Sequence, residues 1–83
     1  MSDRRQVIVY RARLSDVDDP VLYAAEPLYR FEQSELGKWV MANAIPESVV
    51  WNTYIDQNTY GYQVIVKAEF QGSKITEYLL RWS

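Results

Sequence analysis

The chain has 83 residues, a formal net charge of −2, no cysteine and no histidine, and 48% of it is apolar. A chain of this length buries only about 60 to 65 per cent of its unfolded surface and supports one core, so a single domain over residues 1–83 is expected. Disulfides and thiolate metal sites are excluded, and the small negative charge gives no general attraction to nucleic acid or anionic membrane.

Residues 1–6 are basic, but the apolar run Val7-Ile8-Val9-Tyr10 stops at Arg11 and is too short for a signal peptide. No stretch approaches the roughly 18 apolar residues of a membrane helix, so a cytoplasmic protein without membrane contact is expected. Residues 6–14 alternate, with Ile8, Tyr10, Ala12 and Leu14 on one side and Val7, Val9, Arg11 and Arg13 on the other, the period of a first strand. Ser15-Asp16-Val17-Asp18-Asp19-Pro20 combines turn formers with a proline and predicts a polar loop, followed by a short extended piece over residues 28–31.

Ser34 then opens a helix. Its hydroxyl suits an N-cap, Glu35 suits the positive helix start, and Leu36, Trp39, Val40, Asn43 and Ala44 fall on one face. Pro46 disfavours helical geometry at Ile45 and ends it. Gly37 inside this helix costs roughly 1 kcal/mol relative to alanine, so either the helix starts late or backbone packs closely at that glycine. Residues 49–55 carry Val, Trp, Thr, Tyr and Ile, which fit a pleated surface, and end at the turn Asp56-Gln57-Asn58-Thr59. Residues 60–70 and 75–82 are predicted as two further strands joined across Gln71-Gly72-Ser73-Lys74.

The order β-loop-α-β-β-β predicts an α+β two-layer sandwich, an antiparallel sheet of about four strands with one helix on one face. Tyr62, Val64, Val66, Ala68 and Phe70 point one way and Ile65 the other, while Leu79 opposes Tyr78, Leu80 and Trp82. One helix covers one face only. The surplus apolar surface predicts a binding surface on the outer face of the sheet.

Catalysis is poorly supplied. The usual proton shuttle and the strongest neutral-pH nucleophile are absent with histidine and cysteine, and Gly37, Gly61 and Gly72 are too far apart to cradle a phosphate. A non-enzymatic protein without cofactor or metal is expected. Asp16, Asp18 and Asp19 have closely spaced carboxylates, but an EF-hand needs a turn glycine and a distal glutamate where this chain has Val21 and Pro27. A solvated loop is the simpler reading; the other is an acidic patch that docks on a basic partner. Arg4, Arg5, Arg11 and Arg13 beside aromatic residues would suit single-stranded nucleic acid, yet arginines on an edge strand also discourage aggregation. The residues expected to meet a protein partner are Tyr54, Ile65, Leu79, Trp51 and Tyr60, because aromatic anchors dominate interfaces and these lack obvious cover.

The segment Phe31-Glu32-Gln33-Ser34-Glu35-Leu36-Gly37-Lys38-Trp39-Val40, with Trp51, Tyr60-Gly61-Tyr62 and the ending Thr76-Glu77-Tyr78-Leu79-Leu80-Arg81-Trp82, resembles small accessory proteins of tailed bacteriophages. The resemblance implies a cytoplasmic protein of an infected bacterium, where short non-enzymatic domains bind and redirect or inhibit host complexes. The leading expectation is therefore a protein-binding module directed at a host protein. The alternatives are a homodimeric structural protein, in which the surplus face or an edge strand meets a second copy, and a single-stranded nucleic-acid-binding protein.

Overall fold

The computed structural model describes residues 4–15, 19–58 and 61–82. In chain order these form β1 (Arg4–Ser15), α1 (Pro20–Tyr23), α2 (Ala25–Gln33), α3 (Glu35–Asn43), β2 (Val50–Asp56), β3 (Gly61–Gln71) and α4 (Gly72–Trp82). The class is α+β with an antiparallel sheet, as the sequence suggests. Among the described residues, however, the sheet has three strands in the order β1-β3-β2, and helices replace two segments expected to be loop and strand.

The first correction lies between β1 and α3. Pro20 and Pro27 suggest a loop in the sequence, yet each stands in the first turn of a helix, where a missing N–H costs nothing. Asp19 caps α1 by accepting a hydrogen bond from the Leu22 N–H at 3.2 Å. Ala24, Leu28 and Phe31 then recur at helical spacing and turn inward, so residues 28–31 are helical rather than extended.

The second correction is α4. Ile75, Tyr78, Leu79 and Trp82 are spaced i, i+3, i+4, i+7, and the segment follows β3 directly as an amphipathic helix, not a fourth strand. Ile75 is buried, and Tyr78 and Trp82 pack half-buried against the main core.

The corner between α2 and α3 explains Gly37. Ser34 ends α2 and caps α3: its Oγ accepts from the Gly37 N–H at 3.0 Å and donates to the Phe31 carbonyl at 2.6 Å. A Cβ on Gly37 would stand 1.7 Å from that same carbonyl oxygen. Close backbone approach, not a late helix start, is therefore the role of this glycine.

The core lies between the helices and one sheet face. Val64, Val66, Ala68 and Phe70 of β3 face the helices and are buried with Phe31, Trp39 and Val40. The Phe70 ring lies 5.5 Å from Trp39 and 5.8 Å from Tyr78. β1 departs from simple alternation. A bulge separates the pairs Ile8↔Lys67 and Tyr10↔Val66, leaving Val9 buried without a partner on β3. The inward set becomes Val7, Val9, Tyr10, Ala12 and Leu14, and Ile8 joins Arg11 and Arg13 on the outer face. The bulge thus brings Val7 and Val9 to the side of Tyr10, Ala12 and Leu14 and takes Ile8 away from it, correcting the simple alternation expected from the sequence.

Candidate interaction surface

β1 and β2 are the two edges of the sheet, and the sequence builds them differently. β1 carries Arg4, Arg5, Arg11 and Arg13 and is bent by its bulge, whereas no Lys or Arg occurs between Lys38 and Lys67. β2 therefore offers an uncharged, aromatic edge up to Asp56. Its ladder to β3 runs from Val50↔Lys67 to Asp56↔Gly61 without interruption.

The helices stand over β3 and β1. α4 packs on both strands, and the Phe31 ring of α2 lies 5.1 Å from Tyr10 of β1. β2 is left outside this cover. Trp51 and Ile55, on the helix side of the sheet, stay 42% and 62% exposed. Between β2 and the helices runs a groove of about 140 Å³ lined by Leu28, Phe31, Met41, Val49, Trp51 and Val66, with Glu32 adding a charge.

The opposite face of the sheet is more polar than the sequence suggests. Ile65 lies at its centre and is only 9% exposed. Arg11 and Asn52 flank it in register, Gln63 and Lys67 flank it along the strand, and such long side chains cover apolar neighbours with their stems. Tyr54 is on this face and exposed, with the Lys67 ammonium 5.6 Å from its ring centre. Arg13 reaches Asp56 at 4.0 Å, and Arg4 donates to Glu69 at 3.2 Å.

Of the residues expected to bind a partner, Tyr54 and Trp51 are exposed, but on opposite faces of β2. Ile65 is buried at the centre of the outer face rather than exposed. Leu79 is exposed, but it lies on α4 and does not share the outer sheet face, because its segment is a helix. Tyr60, Asp16 and Asp18 lie outside the described residues. Asp19 has a structural role as the cap of α1. Leu28, Met41 and Ile55 belong to the exposed strip or groove and were not expected there. The spacing of Ala24, Leu28 and Phe31 would have found the first, and the shared face of Trp51 and Ile55 the last.

A turn positions the start of β2. Pro46 and Glu47 occupy its centre, the Ser48 N–H donates to the Ile45 carbonyl at 3.0 Å, and Glu47 has φ 68°, a left-handed conformation that favours glycine. The buried Ser48 Oγ donates to the Ile45 carbonyl at 2.6 Å and accepts from the Glu69 N–H at 3.1 Å. This hydroxyl ties the turn to β3 where strand pairing has not yet begun.

Among the described residues no group of three or more His, Cys, Asp or Glu side chains could hold a metal ion, and no helix is long and apolar enough to cross a membrane. Burial pushes the Tyr78 phenol above its ordinary value of 10.0. Tyr78 sits in the aromatic core cluster with Trp39 and Phe70. No protein-family model, curated protein or solved structure matches the chain.

Proposed function

We propose that this chain is a non-enzymatic protein-binding module that takes an extended segment of another protein chain along β2. The observation that carries the reading is the open side of β2: an uninterrupted edge, uncharged up to Asp56, whose Trp51 and Ile55 stand exposed beside a mainly apolar groove. An added strand would satisfy the free backbone groups of β2 and send alternate side chains into the groove, as strand-addition recognition requires. Trp51 and Met41 would be its anchors, since exposed aromatic and methionine side chains in a groove suit adaptable apolar contacts. The resemblance to tailed-phage accessory proteins points to a bacterial host protein as the partner class.

The test uses the intact chain and its Trp51→Glu variant as parallel baits in a bacterial lysate at moderate salt. The expected result is a protein captured stoichiometrically by the parent and lost in the variant, with unchanged circular dichroism. Equal capture by both baits overturns the assignment to β2.

A second reading has its own observation. Arg11, Arg13 and Lys67 share the helix-free face with exposed Tyr54, a combination that suits single-stranded nucleic acid. Binding of this kind weakens steeply with salt. A titration with a single-stranded oligonucleotide at low salt tests it, and a flat response removes it.

A further inference from the structure

We infer that the strand accepted by β2 is β2 of a second copy, paired antiparallel about a two-fold axis at Thr53. This rests on the reading of β2 as the binding edge and names the strand that occupies it until a foreign segment displaces it. Strand addition needs a partner strand that is itself free, uncharged and unbent. β2 meets those conditions from Val50 to Ile55, with one charge at its end, Asp56, whereas β1 has four arginines and a bulge.

Geometry restricts the register. A two-fold axis perpendicular to the sheet keeps each face continuous, so residues that oppose one another must come from the same face, and the axis must pass through a residue. In the seven-residue strand Val50–Asp56, the axis that retains every pair passes through Thr53. Trp51 then opposes Ile55 of the second copy, Asn52 opposes Tyr54, and Val50 opposes Asp56.

This arrangement fits what each residue lacks in the single chain. Trp51 and Ile55 are both exposed on the helix side, and each becomes the cross-strand partner of the other, an aromatic and β-branched pair beside the groove of Leu28 and Met41. Charge is complementary on the other face. Lys67 pairs with Val50, so it stands two strands, about 10 Å, from Asp56 of the second copy and adds a second cation to the side of that carboxylate, which Arg13 of its own chain approaches at 4.0 Å. The two Asp56 residues lie at opposite ends of the ladder and do not meet. The product is a closed pair with a six-stranded sheet in the order β1-β3-β2-β2-β3-β1. Its outer edges carry the arginines, which repel a third copy.

Sedimentation equilibrium of the full chain across micromolar concentrations reads the association directly. The expected mass rises towards twice that of the chain and no further. Trp51→Glu or Ile55→Lys alone places a charge opposite an apolar side chain and returns the protein to a monomer. The double variant Trp51→Glu/Ile55→Lys sets opposite charges across the axis, and the dimer returns. Hydrogen exchange of the parent supplies a readout independent of any variant: β2 amides gain protection with concentration and β1 amides do not.

A monomer at all concentrations overturns the inference, as does a dimer indifferent to both single variants or an open-ended series of masses. If the monomer still captures a foreign protein through Trp51, self-pairing fails while the binding reading stands. If a dimer forms elsewhere and capture ignores Trp51, both fail.

Discussion

The two edges of the sheet hang from the same central strand but are finished in opposite ways. On the β1 side, helices cover the inward face, the bulge adds Val9 to the core, and arginines line the strand. On the β2 side, the inward residues Trp51 and Ile55 stay 42% and 62% exposed beside the groove, and the strand carries no cation. Burial on one side supplies stability, and exposure on the other leaves surface for a partner. If β2 binds as proposed, stability and binding are separable by mutation, edge by edge.

The covered side should break first and hardest. Phe70→Ala removes a fully buried ring from between Trp39 and Tyr78, and a loss of about 3–5 kcal/mol in chemical denaturation is expected. Such a loss is a large part of what a small domain has. The contrast between edges is read by a matched pair in dilute, monomeric protein: Val9→Ala should cost about 2 kcal/mol, and Ile55→Ala about 1 kcal/mol despite its larger side chain. Equal losses would mean that β2 is as well packed as β1.

Glu47→Gly should shift the open side the other way. Relief of the left-handed conformation outweighs the added freedom of the unfolded chain, for a net gain of about 0.5–1 kcal/mol in thermal or chemical unfolding. The smallest effect lies with Tyr78 on the covered side. Its folded form keeps the proton after an unfolded phenol has lost it, so this contribution is intact below pH 10.0 and declines as pH rises past that value through the higher folded-state one. Tyr78→Phe should lose less stability than the parent over this alkaline range, measured by denaturation at a series of pH values.

Much of this architecture is legible in the residues themselves. Alternation marks β1, β-branched and aromatic content marks β2 and β3, and Ser34 with Glu35 marks the start of α3. The segment from Pro20 to Gln33 misleads because proline reads as a breaker unless its place in a first helical turn is known. In α4, four apolar residues among Tyr78, Leu79, Leu80 and Trp82 satisfy strand and helix periods alike. Ile75, three before Tyr78 and seven before Trp82, is the residue that separates the two. Trp51 and Tyr54 stand out as candidates from sequence, but which face each occupies depends on where the helices dock. Ile65 reads as a naked apolar residue because cover by neighbouring Arg and Lys stems has no sequence period.

The three tryptophans sit in three different settings. Trp39 is sealed into the core, Trp51 stands at the open edge of β2, and Trp82 packs on the core from α4 with the Arg81 guanidinium 5.5 Å from its ring centre. The molecule thus carries its own optical labels. Emission from Trp39 follows melting of the interior, that from Trp82 follows detachment of the last helix, and that from Trp51 shifts to the blue as water leaves the edge strand. Single-tryptophan versions of the chain would report folding, helix docking and partner occupancy as three separate signals.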